Sequence, residues 1–199
     1  WNCSFPLWYV ADPTDGTATS TQFSTENWLS AVRAVDDNFA TSSNSESSSG
    51  VEVVSFLAFA LNTLTIPYGS LEPGQQTDPI VATTTIAATG NVGLDERLSG
   101  ESMCVTYATG SECPVSATST IPENEQVYGT STVTYAQGVA LSSTTVAELE
   151  VNVPKSIATS TQATDDTFWG IRVPAAISLA GSYKGENTFI AIVGEQSDW

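Results

Sequence analysis

The 199-residue chain has no histidine, one methionine, three cysteines and only five basic residues. Each shortage removes a class of function. Without histidine there is no Ser-His-Asp or Cys-His machinery. Three cysteines alone do not supply the four ligands of a usual structural zinc site. The basic residues Arg33, Arg97, Lys155, Arg172 and Lys184 are scattered. A nucleic acid or an anionic membrane surface requires them clustered, so neither is an expected partner. Long apolar runs are also missing. The most apolar stretch, residues 51–66 (VEVVSFLAFALNTLTI), is broken by Glu52, Ser55 and Asn62, so direct membrane insertion is not expected.

What remains is acidic and hydroxyl-rich. Twenty-two Asp and Glu give a formal net charge of -17, yet hydrophobic residues make up 41%. That content suits a folded core rather than an acidic tail. A halophilic protein is one reading of such acidity. Total charge is only 14%, however, and the polar excess is Ser and Thr, which favours a secreted or surface-displayed β protein. The chain starts at Trp1 with no start methionine or signal peptide in view; a mature form, or the end of something longer, is the expectation.

Strand signals dominate. Short β-branched or aromatic runs at 51–66, 80–88, 94–98, 103–108, 126–135, 145–153, 167–173 and 187–193 are separated by Gly, Pro, Asn and Ser clusters, the pattern of an antiparallel sandwich. Alternation over 145–153 turns Ala147, Leu149, Val151 and Val153 inward and Val146, Glu148, Glu150 and Asn152 outward. In 69–95, Pro73-Gly74 makes a turn into a Thr-rich edge or face strand, and Gly90-Asn91 is expected at positive φ where the chain reverses. Residues 1–40 are too few to close a sandwich alone. They read as an N-terminal β segment, a partial domain or donated strands, with 41–50 (TSSNSESSSG) as a Ser-rich linker and 51–199 as the main domain. Over 26–38 (ENWLSAVRAVDDN) strand competes with helix, and the two-residue period favours strand.

Cys104 and Cys113 flank VTYATGSE. Its glycine sits where a hairpin turn needs one, which suggests a short-range disulfide across that hairpin; two unpaired thiols on adjacent strands are the alternative. Cys3 is then left free or bonded outside this chain. Calcium is the metal to consider: Asp12 and Asp15 in ADPTDG, and Asp36, Asp37 and Asn38 in VDDN, stand at strand ends where oxygen ligands can gather. Turn-capping explains the same residues without an ion. Trp8, Tyr9, Trp28, Trp169 and Tyr183 could stack on a sugar, though strand aromatics usually fill cores. Trp8, Cys3 and the terminal Trp199 are candidate assembly contacts. Asn2-Cys3-Ser4 matches a glycosylation acceptor. For catalysis, Ser-Lys chemistry needs Lys155 or Lys184, and PKS at 154–156 reads instead as a solvated strand end; Glu148 and Glu150 share a face, as charges that merely meet water also do. No catalytic residues are assigned.

YGSLEPGQQT through VATTTIAATGNVGLDERLSGESM resembles the L-x-P-G, T-G-N, L-D strand-turn-strand of prokaryotic surface immunoglobulin-like domains. The run from Trp169-Gly170-Ile171 and Val173-Pro174 through Ala180-Gly181, Tyr183, Gly185 and Asn187-Thr188-Phe189 is similar to the ending of secreted Ser/Thr-rich surface proteins of ultra-small uncultured bacteria, and STVTYAQG and LEVNVPKS look similar too. The resemblance spans roughly residues 51 to 193. It implies an immunoglobulin-like β-sandwich displayed outside the cell, with no catalytic residues to carry over. The expectation is a non-enzymatic structural subunit, self-associating or joined to neighbouring surface modules in a filament, sheath or surface layer. The alternative is an adhesin-like or carbohydrate-binding module.

Overall fold

A computed structural model describes residues 4, 6–15, 23–144, 146–195 and 197. The expected all-β antiparallel sandwich is present. Its larger sheet has the order β3 (Phe59–Leu61), β4 (Ala82–Ala88), β11 (Thr164–Ile171), β8 (Gln126–Gly129), β9 (Val139–Ala140). Its smaller sheet runs β10 (Ala147–Val153), β5 (Leu94–Gly100), β12 (Asn187–Val193). Every pairing is antiparallel. Two short pairs stand apart: β1 (Ala31–Val32) with β2 (Ser45–Glu46), and β6 (Met103–Cys104) with β7 (Thr120–Ile121).

The core forms where the inward faces of the two sheets meet. Ile86, Ala88, Tyr128 and Trp169 from the larger sheet pack against Leu94, Leu98, Leu149, Val151 and Val153 from the smaller. Trp169 is fully buried, donates its indole N–H to Thr84 Oγ1 at 2.8 Å, and meets the rings of Tyr128 and Phe189 at 5.6 and 5.7 Å. Buried large apolar side chains of this kind contribute about 1.5–3 kcal/mol each. The alternation read over 145–153 holds: Leu149, Val151 and Val153 are buried while Glu148, Glu150 and Asn152 are exposed. β10 slips register between Leu149 and Val153, where Asn152 takes φ 53° and donates its N–H to Asp95 Oδ1 at 2.7 Å.

Several strands are shorter than their runs of β-forming residues. Of 51–66, only Phe59–Leu61 pairs as a strand, with Val51 in an isolated bridge to Trp28. The 126–135 run ends at Gly129, and Tyr135–Gln137 forms a 3-10 turn in which Thr134 and Gln137 cap one another. Pro73-Gly74 makes the expected turn, with Gly74 at φ 85° and the Gln75 N–H reaching the Glu72 carbonyl at 3.0 Å. The strand that follows is not an edge: β4 lies between β3 and β11, and Ile86, Ala87 and Ala88 are fully buried.

Gly90-Asn91 does not take positive φ. A Cβ on Gly90 would stand 2.0 Å from the Phe56 carbonyl oxygen, so close approach of backbones is what requires glycine. Asn91 is buried and works as a clamp. Its Oδ1 accepts the Phe56 N–H at 2.6 Å, its Nδ2 donates to the Val54 carbonyl at 3.0 Å, and its own N–H donates to the Phe56 carbonyl at 3.0 Å.

The Ser-rich stretch 41–50 carries β2, so together with residues 28–35 it makes a hairpin. Bridges run from Trp28–Val51 at the base through Ala31–Glu46 and Val32–Ser45 to Val35–Thr41 near the tip. Serine hydroxyls supplement the ladder: Ser47 Oγ accepts the Ser30 N–H and Ser42 Oγ accepts the Ala34 N–H. Ser47 apart, every residue from Ser24 to Glu52 is exposed. The hairpin therefore stands off the sandwich.

Candidate functional site

Two features of opposite shape stand out, a projecting hairpin and a groove. The hairpin tip is built by Asp36. Its Oδ1 accepts the N–H groups of Asn38 at 2.9 Å and Ala40 at 2.8 Å, and its carbonyl accepts the Phe39 N–H at 3.1 Å. These bonds hold Phe39 at φ 65°. A left-handed backbone costs a bulky L-residue ~1–2 kcal/mol, and the fixed turn leaves Phe39 86% exposed. Trp28, Leu29, Val32, Val35 and Val51 are exposed along the same hairpin.

The base of the hairpin is tied to the sandwich through residues 12–15. The Trp28 indole donates to the Asp12 carbonyl at 3.0 Å, and the Asp12 carboxylate pairs with the Lys155 ammonium beyond β10. Thr14 exchanges two bonds with Val53, and the Asp15 carboxylate accepts both the Ser55 N–H and hydroxyl at 2.7 and 2.8 Å. PKS is thus no solvated strand end. Lys155 is largely covered by its ion pair, and Ser156 is buried with its hydroxyl donating to the Ala88 carbonyl and accepting the Ala163 N–H. A hydroxyl so engaged is not poised as a nucleophile.

The groove, about 740 Å3, opens beside β12 between the sheets. Leu61 and Ile66 line it from the chain leaving β3, Phe189 from β12, and Met103, Tyr107 and Tyr183 from the opposite lip. Gln126 organises its polar floor: Oε1 accepts the Tyr68 hydroxyl at 3.0 Å and Asn187 Nδ2 at 3.1 Å, and Nε2 donates to the Glu101 carbonyl at 3.4 Å. Burial pushes the Tyr68 phenol well above its ordinary pKa, so it remains a neutral donor. Lys184 stands on the rim.

Cys104 and Cys113 form a disulfide, with Cα atoms 5.7 Å apart. It does not cross a two-stranded hairpin, because Met103–Cys104 pairs with Thr120–Ile121 and Cys104 also bridges to Lys184. It closes a loop that turns at Gly110, φ 78°, and places Tyr107, Ala108 and Thr109 against the groove. Tyr107 donates its hydroxyl to Glu186 Oε2 at 2.8 Å, and that bond raises its pKa.

Three of the residues read as calcium ligands, Asp12, Asp15 and Asp36, have their carboxylates engaged within the chain. Asp12 pairs with Lys155, Asp15 holds Ser55, Asp36 caps the tip turn with the Asn38 N–H, and Asp37 is exposed beside it. Asp12, Asp15, Asp36 and Asp37 are not gathered into any group of three carboxylates within reach of one ion among the described residues. Such a group does occur at Asp95, Glu150 and Glu195, whose oxygens lie within 4.8 Å of one another. The charge of Asp95, then that of Glu195, raises the Glu150 pKa. Like charges so close resist ionising together, which is the chemistry that the trio shows by itself.

The five aromatics do not form one sugar platform. Trp169 lies in the core, Trp8 is 60% exposed, Trp28 is on the hairpin and Tyr183 at the groove. Cys3, Trp199 and the Asn2 acceptor lie outside the described residues. The groove was not legible as a site, since its residues come from five separate segments without a shared period. No helix among the described residues is long and apolar enough to cross a membrane. The chain matches no family, no curated protein and no solved structure.

Proposed function

We propose that the chain is a non-enzymatic structural subunit, an immunoglobulin-like β-sandwich displayed outside the cell and assembling with copies of itself or with neighbouring surface modules. The observation that carries this is the exposed hairpin. A lone two-stranded ribbon is marginal in water, yet this one exposes Trp28, Leu29, Val32, Val35 and Val51 along its length and Phe39 on a tip fixed by Asp36. Such a patch has the character of a contact surface. Among the described residues β12 and β10 are the edge strands of the smaller sheet, and they offer further places for strand addition. The disulfide accords with an oxidising, extracytoplasmic setting.

Sedimentation velocity over a wide concentration range, with negative-stain imaging of the concentrated protein, tests the reading. Regular oligomers or polymers support it; a monomer at every concentration and ionic strength sinks it. A second reading, a carbohydrate-binding module, draws on the groove, where Tyr68, Tyr107 and Tyr183 stand near the amides of Gln126 and Asn187. Rings and amides are the groups that sugars use. A glycan array probed with the whole chain separates the two.

A further inference from the structure

We propose that the groove beside β12 is the receptor for the hairpin tip of a second copy, with Phe39 as the inserted side chain and Lys184 facing Asp37 across the contact. The proposal rests on the assembly reading and names its two halves.

The shapes match in kind. Phe39 projects from a rigid turn, held out of the ordinary backbone region by the Asp36 carboxylate rather than by any packing of its own ring. An observed backbone outlier at an exposed aromatic is a reason to look for the partner that uses it. The groove presents Leu61, Ile66, Met103 and Phe189 around an opening of about 740 Å3, room for a ring and its turn. An aromatic anchor entering a pre-formed apolar pocket is the usual centre of a protein contact.

Charge selects the occupant. Arg97, Lys155 and Arg172 are in ion pairs with Glu148, Asp12 and Glu125. Among the described residues the cations in no ion pair are Arg33, on the hairpin, and Lys184, on the groove rim. The tip carries exposed Asp37 two residues from Phe39. On a chain of net charge -17 most surfaces repel another copy; a tip acid meeting a rim lysine is a local exception that also fixes orientation. Because the tip and groove are different surfaces, the contact is head-to-tail. Each copy keeps one free tip and one free groove, so the association propagates into a chain rather than closing as a twofold dimer.

The test uses the whole chain carrying Cys3→Ser, so that a stray thiol does not link copies, with self-association read by sedimentation velocity. Phe39→Ala, at an exposed position, is expected to weaken association by about tenfold or more. Asp37→Lys and Lys184→Asp each place like charges across the contact and are expected to associate several-fold more weakly alone. Mixed in equal amounts, they restore opposite charges at every junction and are expected to recover association; a purely structural role for either residue would give no recovery. If the parent associates but ignores Phe39→Ala and the mixture shows no recovery, the hairpin–groove contact is wrong and the assembly reading stands. If the parent stays monomeric throughout, both fall. If a soluble oligosaccharide saturates the groove while association is untouched, the groove belongs to sugar and the proposal is overturned.

Discussion

The Thr167 hydroxyl donates a 2.6 Å hydrogen bond to Glu96 Oε2 across the interior of the sandwich, joining β11 of one sheet to β5 of the other. Glu96 is 1% exposed, and its Oε1 has no hydrogen-bond partner. Burial raises its pKa, Thr167 pulls it partly back, and the neighbouring Asp95 charge adds to the rise. A carboxylic acid inside an apolar layer is tolerated best while it keeps its proton.

Stability should therefore depend on pH in the direction opposite to that of an ordinary paired carboxylate. The folded chain holds the Glu96 proton more tightly than the unfolded chain. The corresponding stability is fully present below the ordinary glutamate value and is lost as pH rises through the raised, folded value. Glu96→Gln should flatten this slope and stabilise the fold at neutral pH by about 1–3 kcal/mol, the cost of one unsatisfied buried polar atom. Urea midpoints across pH 4–8 for the two proteins check it; a parallel pair of curves would count against the assignment.

Glu150→Gln should act in the same direction at the opposite face of β5. Repulsion from Asp95, then from Glu195, raises the Glu150 pKa, so stability tied to its proton is lost as pH rises above the ordinary value. Removing one charge from the trio is expected to increase the melting temperature at neutral pH, with the gain shrinking in high salt. Thermal melts at two ionic strengths measure this, and no change at low salt would refute it.

Gly90→Ala should destabilise by about 1–3 kcal/mol, because a methyl group 2.0 Å from the Phe56 carbonyl oxygen forces two backbones apart. Asn91→Ala, which removes the clamp on residues 54–56, should cost a similar amount by deleting two hydrogen bonds of a buried side chain. Chemical denaturation of each variant decides the matter; a neutral Gly90→Ala would refute the close backbone approach as the reason for glycine.

Replacing Cys104 and Cys113 together by serine should lower stability by about 2–3 kcal/mol, the chain-entropy value for so short a loop. Its sequence separation is only 9. Tyr107, Ala108 and Thr109 would then gain freedom, and hydrogen exchange should rise at the groove lip while the Trp169 core stays protected. Uniformly faster exchange would mean that the disulfide holds far more than its own loop.

The strands of the sandwich were readable wherever one face meets the core, since alternation over Ala147–Val153 maps directly onto burial. Gly90-Asn91 misled because turn chemistry and close backbone approach select the same residues, and only the neighbouring Phe56 distinguishes them. The stretch 41–50 has the composition of a linker, yet serine hydroxyls from Ser42 and Ser47 complete a ladder with residues 30–34. A strand exposed on both faces leaves no apolar period to find. Of the candidate contact surface, Asp36, Asp37 and Asn38 were visible as a strand-ending turn. Phe39 drew no notice, because its left-handed backbone is a product of the Asp36 bonds and not of its own preference. The Lys155 partnership with Asp12 spans 143 residues of sequence, beyond any local pattern.

That last partnership sets how the molecule would bear tension. A pull on the ribbon enters at the Trp28–Val51 bridge and passes to Asp12 through the indole bond. From there it divides between Lys155 and the Thr14–Val53 and Asp15–Ser55 links. Several bonds thus share the load at one joint.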